Sequence, residues 1–293
     1  MPELAGEYLT TREVAELLRI KERKVYDLAT SGDIPCTRAL GKLLFQRTAL
    51  DAWLARHGSG DMGAPAVFPT VFLGSHDPLL EWALRESGSG AATYFDGSLD
   101  GLDRFADAAG IATGLHIFDR ETGAWNVPTI SQRFLGKPVV LVEWAWRERG
   151  LIVQPDNPKK FGKIADLKGT RIVPRQAQAG SQVLLAHLLK DAGLDGAVKY
   201  THAARTETDA ALAVLDGQAD AAFGLLSVAK QYRLDFIPVI RERFDLLVWR
   251  SEWFEDPFQK FLELCRSPLL AERVTTLEGY DISGFGKVHF NGK

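Results

Sequence analysis

Three glycine–serine pairs stand directly before segments with a helical pattern: Gly74-Ser75, Gly97-Ser98 and Gly180-Ser181. The N-terminus of a helix exposes free backbone N–H groups and about half a positive charge, so it attracts anions. Serine hydroxyls add hydrogen-bond donors with little bulk. A serine before a helix is also an ordinary N-cap, and each pair taken alone fits that interpretation. Several such loops meeting at one place would form a site for a small oxyanion.

Other polar residues join these pairs as candidates because they lie in the same kind of loop. The predicted ligand-binding residues are Ser75, His76, Asp77, Gly97, Ser98, His116, Arg175, Gly180, Ser181 and Thr208. The guanidinium group of Arg175 would add charged N–H donors in a fork-shaped arrangement to the neutral donors. His116 lies in an apolar strand pattern, which fits a buried core histidine equally well. Asp77 fits a first-turn helix charge that the helix dipole favours.

Strands and helices alternate from about residue 69 onwards, which predicts an α/β domain with parallel sheet and helices on its faces. The segment "GKIADLKGTRIVPR" begins a second α/β lobe, and "TDAALAVLDGQADAAFGLL" closes it. The segment "LDFIPVIRERFDLLVWR" then returns to the first lobe. Such a return predicts two lobes that close on a hinge, with the ligand between them.

The first 57 residues predict a different unit. Thr10 or Thr11 is a good N-cap, with Glu13 placed as in a capping box, and a second helix is expected from Glu22 to Thr30. Two short helices joined by a tight turn form a helix-turn-helix. A hairpin with its tip at Leu40-Gly41-Lys42 and a third helix, "RTALDAWLARH", complete a winged helix.

Basic residues are concentrated in this unit. Between Arg19 and Arg47 there are seven basic residues and three acids, although the net charge of the chain is −3. The predicted DNA contacts are Thr11, Lys21, Arg23, Lys24, Arg38, Lys42 and Arg47. Phosphate binding needs such a local excess, and the affinity would fall steeply with salt. The alternative is a small helical domain that binds protein and whose charges are only solvated.

The pattern "YLTTREVAELLRIKERKVYDLATSGDIP", continued by "ALGKLLFQRTALDAWL", closely resembles the excisionase-type, MerR-like winged helix. This resemblance implies binding to double-stranded DNA, usually as a homodimer on paired half-sites. The segments "GSHDPLL", "GSLDGL", "DGQADAAFGL" and "GYDISGFG" resemble the type II periplasmic-binding-protein fold. They are more closely similar to a cytoplasmic molybdate-binding-protein-like subgroup, which implies molybdate or tungstate as effector.

The chain departs from that subgroup at several positions. It reads "RQAQAGSQ" where relatives tend to read Gly-Ser-Gly-Thr-Arg after the arginine, and Thr208-Asp209 where they tend to read Thr-His. A carboxylate beside a bound oxyanion would repel it. Trp125, Trp144 and Trp146 add aromatic surface that a small inorganic anion does not need. A small organic carboxylate or sulfonate held by Arg175 is therefore the alternative effector.

The predicted fold class is α/β, an N-terminal winged helix-turn-helix plus a two-lobed type II periplasmic-binding-protein-like domain. The expected bounds are 1–57 for the winged helix, 58–68 for a linker and 69–293 for the effector domain, whose lobes cover about 69–150 with 235–293 and about 151–234. The sequence therefore predicts a one-component transcription regulator that responds to a ligand.

Composition and motifs exclude several other classes. Cys36 and Cys265 have no metal-site spacing, and we find no Ser/His/Asp set, metal-ligand set or nucleotide loop, so neither an enzyme nor a cofactor is expected. An enzyme on the two-lobed scaffold stays the alternative of another class. The start lacks a signal-peptide pattern and no 18-residue apolar run occurs, so a cytoplasmic protein without membrane contact is expected.

Overall fold

The computed structural model describes residues 8–39, 41–57 and 68–292. The chain divides into two compact units, Met1–Val67 and Phe68–Lys293. Among the described residues no helix is long and apolar enough to cross a membrane. The predicted linker, 58–68, lies outside the described residues except for its last position.

The N-terminal unit is a winged helix. Its elements are β1 (Tyr8–Thr10), α1 (Thr11–Leu18), α2 (Glu22–Ser31), β2 (Thr37–Ala39), β3 (Lys42–Gln46) and α3 (Arg47–His57). The side chain of Thr10 caps α1 in a capping box with Glu13, and left-handed Gly32 ends α2. The strands form an antiparallel sheet in the order β1-β3-β2. Strand β1 was not predicted, because its three residues become a strand only by pairing with β3.

The larger unit alternates strands and helices as the sequence predicts. Its first part consists of β4 (Val71–Gly74), α4 (Pro78–Glu86), β5 (Ala92–Phe95), α5 (Ser98–Ala106), β6 (Ala112–Leu115), α6 (Val127–Arg133) and β7 (Val139–Val153). Its middle part consists of β8 (Arg171–Val173), α7 (Gly180–Asp191), β9 (Lys199–Tyr200), α8 (Glu207–Leu215), β10 (Ala221–Leu225) and α9 (Leu226–Gln231). It ends with β11 (Asp235–Trp249), α10 (Asp256–Arg266), α11 (Pro268–Thr275), β12 (Tyr280–Asp281) and β13 (Val288–Asn291).

Two 15-residue strands, β7 and β11, connect the lobes of this unit. The sheet order is β5-β4-β6-β11-β7-β10-β8-β9, with β12 and β13 also paired to β7. Strands β5, β4 and β6 are parallel to one another, as are β10, β8 and β9, whereas β7 and β11 pair antiparallel along nearly their whole length. The sheet is thus mixed where the sequence predicted parallel strands, because both long strands run from one lobe into the other.

Each lobe has its own apolar core. In the first lobe, the ring of Phe72 on β4 packs against Phe258 and Phe261 of α10, with ring centroids 5.8 and 5.3 Å apart. In the second, Leu185 of α7 and Phe223 of β10 are buried against β7. The predicted two-lobed α/β class with a winged helix is confirmed.

We expect Gly150→Ala to lower the free energy of unfolding by about 1–3 kcal/mol, because it overpacks the contact between the two connecting strands. A Cβ on Gly150 would lie 2.1 Å from the carbonyl oxygen of Ile237 on β11. Chemical denaturation measures the loss. The matched control is Gly162→Ala, where the nearest atom to an added Cβ is a side-chain oxygen of Asp166 at 3.6 Å. Equal stability of both variants would contradict the prediction.

Candidate functional site

The N-termini of two helices, one from each lobe, meet in the structure. Helix α5 begins at Ser98 and helix α7 at Gly180. The amide of Leu99 donates to the carbonyl oxygen of Gln178 across the lobes, at 3.2 Å. Glycine permits this approach, since a Cβ on Gly97 would lie 2.8 Å from the same oxygen and one on Gly180 would lie 2.5 Å from the carbonyl oxygen of His116. The structure thus brings two predicted glycine–serine pairs together.

The third pair joins them through its hydroxyl. The Oγ atoms of Ser75 and Ser98 are 2.7 Å apart, and Ser98 Oγ also accepts from the amide of His116 at 3.2 Å. Ser75, Ser98 and Ser181 are all buried. None of the three is an N-cap, because Asp77, Gly97 and Ala179 occupy the cap positions. The ordinary capping interpretation therefore does not explain these serines.

Neither helix end in this meeting point is satisfied by a cap. The N-cap residues Gly97 and Ala179 provide no side-chain hydrogen bond. Within residues 68–292, the amides of Ser98, Gly180 and Ser181 donate to no backbone or side-chain acceptor. Free N–H groups and two positive helix ends at one point are suited to a small anion.

A chain of buried ion pairs lies beside the meeting point. It runs Asp77–Arg147–Glu242–Arg149–Glu207–Arg175, and His116 is attached to it at Glu242. Glu242 Oε2 is 2.8 Å from Arg149 Nε, and Glu207 Oε1 is 2.8 Å from Arg149 Nη2. Three carboxylates and three guanidinium groups alternate, so their formal charges sum to zero.

The titration of this chain is set by burial and by its own partners. Burial alone would raise the pKa of Glu207, but Arg149 and Arg175 hold this pKa at about 2. Burial opposes ionisation of Glu242 too, yet the flanking arginines keep its pKa well below the ordinary value. Burial lowers the pKa of His116, although Glu242 opposes this shift. Its Nδ1 lies 2.9 Å from the carboxylate of Glu242, which accepts the hydrogen bond.

Arg175, predicted as a charged fork for the ligand, is engaged within its own lobe. Its Nε donates to the carbonyl oxygen of Ala204 at 3.0 Å and its Nη2 to that of Arg205 at 2.7 Å. Its Nη1 lies 3.1 Å from Glu207 Oε1. Within residues 68–292, Arg175 donates a hydrogen bond to none of the three serines.

The other predicted ligand-binding residues, Asp77, His76 and Thr208, make different contacts. Asp77 caps α4 and also accepts from Trp144, Arg147 and Tyr280, so it anchors the first lobe. His76 Nε2 lies 3.2 Å from Glu81, while its Nδ1 is buried without a hydrogen-bond partner among the described atoms. Thr208, in the first turn of α8, makes no side-chain hydrogen bond in the described part of the chain.

Sequence reasoning missed the members of the ion-pair chain on the long strands and misplaced one carboxylate. Asp209, expected beside the ligand, is exposed and closes a capping box with Thr206; the buried carboxylate is Glu207.

Arg147 and Arg149 are two residues apart, so they share one face of β7. The sequence signal for these arginines was the presence of charges at alternate positions of an otherwise apolar strand. Charges buried on one face of a strand must be paired, so this pattern predicts ion-pair partners. Trp144, expected as ligand surface, is instead fully buried in the first lobe.

The predicted DNA contacts mostly lie on the surface of the winged helix. Lys21, Arg23 and Lys24 are exposed at the start of α2, and none of them forms an ion pair within residues 8–39 and 41–57. Arg38 and Lys42 are exposed on the hairpin that forms the wing. Two of the predicted contacts are less accessible: Arg47 pairs with Asp51 at 3.1 Å, and Thr11 is buried at the start of α1.

Comparisons with known proteins agree with this architecture. Residues 80–266 match the family model of the PBP superfamily domain, and residues 8–58 match that of a helix-turn-helix domain. The chain is 30% identical to the uncharacterized protein YvgK of Bacillus subtilis (strain 168) over 303 residues, which cover 95% of this chain and 96% of YvgK.

Two solved structures are similar at lower identity. An ancestral arginine-binding protein bound to arginine is 15% identical with a TM-score of 0.47, covering 71% of this chain and 97% of that one. The periplasmic aliphatic sulphonate binding protein SsuA from Escherichia coli is 15% identical with a TM-score of 0.43, covering 72% and 84%. The two matched domains together are those of a DNA-binding regulator with a ligand-binding domain.

We expect Glu207→Gln to lower the free energy of unfolding by about 3–5 kcal/mol at neutral pH, because Arg149 and Arg175 lose a buried carboxylate. The folded-state pKa of about 2 lies below the ordinary 4.5. The stabilisation is therefore complete above pH 4.5 and is lost as the pH falls towards 2. Urea denaturation between pH 7 and pH 2 measures both effects, and the variant should show a flatter pH dependence.

The matched control is Asp256→Asn, which removes a carboxylate 3.5 Å from Lys260 that is 89% exposed. This exposed pair should contribute less than about 1 kcal/mol. A Glu207→Gln variant as stable as the control would show that the buried chain does not depend on Glu207.

Proposed function

The chain belongs to the PBP superfamily through residues 80–266 and carries a helix-turn-helix domain at 8–58, and from this premise we propose that it is a one-component transcription regulator. The winged helix binds operator DNA, and the two-lobed domain binds a small anion that alters DNA binding. The observation that carries the sensor half is the meeting of the α5 and α7 N-termini from opposite lobes, with amides that find no acceptor among the described residues.

The electrostatics of this point favour an inorganic oxyanion as effector. The ion-pair chain is already balanced, so the anion would be held by helix ends, free amides and hydroxyls, not by a free guanidinium group. Arg175 is occupied by Glu207 and by two carbonyl oxygens, which weakens the case for a carboxylate or sulfonate paired with it. A tetrahedral ion such as molybdate or tungstate presents four acceptors to many small donors.

The same contact explains how the ligand would act as a signal. The amides and hydroxyls of the site come from both lobes, so an anion contacts all of them only when the lobes are closed. A ligand that binds the closed state better shifts the population towards it. A coupling of about 1–3 kcal/mol between ligand and DNA would give a useful switch. We expect a homodimer, because paired half-sites need two winged helices.

Molybdate at 100 times its dissociation constant should raise the free energy of unfolding by about 2.7 kcal/mol, which a thermal-shift assay detects as several degrees. Tungstate should act similarly. Ser98→Ala should abolish the shift, because it removes the hydroxyl shared with Ser75 and the amide of His116. Ser251→Ala, at an exposed serine next to Glu252, is the control and should retain it.

The same assay with sulfate, phosphate, small carboxylates and sulfonates separates the effector classes. A shift with a carboxylate or sulfonate alone would replace the oxyanion by the organic alternative. No shift with any anion would refute the sensor half of the proposal.

Replacing both Arg23 and Lys24 by Ala should weaken binding to a duplex of about 30 base pairs, measured by fluorescence anisotropy at several salt concentrations. Each phosphate contact contributes about 0.9 to the slope of log affinity against log salt, so the slope should fall by about two. The control removes two exposed lysines of the large unit, Lys168→Ala with Lys190→Ala, and should leave the slope unchanged. An unchanged slope in the Arg23 and Lys24 variant would favour the protein-binding adaptor.

A further inference from the structure

The two ring nitrogens of His116 have different surroundings. Nδ1 lies 2.9 Å from Glu242 Oε2, which also accepts from Arg149 Nε at 2.8 Å. Because Glu242 is ionised, it accepts hydrogen bonds and donates none, so Nδ1 carries a proton whether the ring is neutral or charged. Within residues 68–292, Nε2 of His116 forms no hydrogen bond.

The edge of the ring that carries Nε2 lies beside the first turn of α7. A Cβ on Gly180 would be 3.1 Å from Cε1 of His116, the atom bonded to both ring nitrogens, and 2.9 Å from Ser98 Oγ. The backbone amide of His116 donates to the same serine oxygen at 3.2 Å. Nε2 is therefore next to the amides and hydroxyls that form the proposed anion site.

A divalent anion at this site needs more positive charge than the helix ends supply. The ion-pair chain is balanced, and the N-termini of α5 and α7 each carry about half a positive charge, or about one together. About one negative charge of a dianion such as molybdate is left without compensation while His116 is neutral. A buried charge without compensation is strongly unfavourable. Protonation of Nε2 supplies the missing charge and turns an acceptor into a donor.

The other charged groups around the ring of His116 keep their charge near neutral pH. Burial opposes ionisation of Glu242 on β11, yet Arg147 and Arg149 on β7 keep its pKa well below the ordinary value. Burial alone would lower the pKa of both arginines, but their carboxylate partners raise it. The remaining neighbours are uncharged: Phe244, whose ring stacks on His116 at 5.8 Å, and the first turns of α5 and α7.

We propose that the site between α5 and α7 takes up one proton, at Nε2 of His116, when it binds a divalent oxyanion. The proton comes from the solvent and binds the lone pair of Nε2, which then donates to the anion while Nδ1 still donates to Glu242. The ring thus joins the anion to the ion-pair chain. This inference rests on the proposed function and adds that the sensor responds to the anion and to pH together.

The direction of the pH dependence follows from the two states of the ring. Burial holds the pKa of His116 below its ordinary 6.5 without ligand, although Glu242 opposes this shift, and a bound anion raises it. The bound state therefore holds more protons than the free state at every pH between the two pKa values. In that range the affinity for molybdate should fall by about tenfold for each unit of rising pH.

Isothermal titration calorimetry of the full chain with sodium molybdate at pH 7, once in HEPES and once in Tris, tests the proposal. The two buffers release protons with different enthalpies, so the difference between the two binding enthalpies gives the number of protons taken up. We expect about one proton for each molybdate bound. Titrations between pH 6.5 and pH 8.5 measure the change in affinity.

His116→Gln removes the titrating ring and keeps an amide near the position of Nε2, so molybdate should bind without proton uptake and with an affinity that no longer depends on pH. His116→Asn, which keeps a donor for Glu242, replaces it if the first variant does not fold. The matched control is His289→Gln on β13, because His289 also pairs with a carboxylate, Glu143, at 2.7 Å. It should retain the proton uptake of the unmodified chain.

Binding of molybdate without proton uptake would overturn this inference and leave the proposed anion sensor intact. Uptake that persists in His116→Gln, or that is lost in His76→Gln instead, would assign the proton to another group and overturn it as well. Absence of binding by both molybdate and tungstate would refute the proposed oxyanion site itself, and this inference with it.

Discussion

Glu242 sits on β11 and binds two arginines of β7 at once, and the arrangement of both lobes depends on this contact. Arg147, on one side of Glu242, continues to Asp77 in the first lobe, and Arg149, on the other, continues to Glu207 in the second. All of these side chains are buried. A buried charge that loses its partner is strongly destabilising, so each pair fixes the position of the loop or helix that supplies it. The ion pairs therefore determine where these loops and helices lie more than they add to the net free energy of unfolding.

One consequence of this placement concerns the proposed anion site. Since the arginines are neutralised by carboxylates, the positive potential between the lobes has to come from the first turns of α5 and α7. Both helices are long enough, at 9 and 12 residues, to have a developed dipole, and neither has a side-chain cap. The serines are not used as caps for the same reason, because Gly97 and Ala179 hold the cap positions. Ion pairs position the lobes, and helix ends would bind the ligand.

The sequence predicted the structural features that depend on neighbouring residues. It did not predict the ion pairs between residues that are distant along the chain. The capping box of Thr10 and Glu13, the end of α2 near Gly32 and the glycine–serine loops are local patterns, and the structure contains all of them. Glu207 and Arg149 are 58 residues apart, and Glu242 and Arg149 are 93 apart, so no local pattern shows that they pair.

A small shift of position explains the misplaced carboxylate. Placing Asp209 beside the ligand required knowing which face of α8 points inward. That helix starts at Glu207, and its N-cap is Thr206, so Glu207 faces inward and Asp209 returns to the cap. Each residue on a helix turns the side chain by about 100°, so Glu207 and Asp209, two residues apart, point in nearly opposite directions, one into a buried ion pair and the other back to the cap.

The position of Glu242 also bears on how the lobes would move. Asp77 and Arg147 form one group of buried ion pairs in the first lobe, and Glu207 forms a second group with Arg149 and Arg175 in the other lobe. Glu242 connects the two groups, so each group can keep its own pairs when the lobes move. Several polar contacts across the lobes are weaker: the amide of Leu99 donates to the carbonyl oxygen of Gln178, Gln176 donates to Asp96 at 3.1 Å, and two exposed ion pairs join Arg120 to Asp191 and Lys230 to Glu278. Exposed pairs and single neutral hydrogen bonds each contribute about 1 kcal/mol or less. Trp125 of the first lobe is also buried in the same apolar cluster as Leu184 and Leu185 of the second, so the closed arrangement has an apolar contact as well. A ligand that prefers this closed arrangement shifts the population towards it by its difference in affinity for the two states.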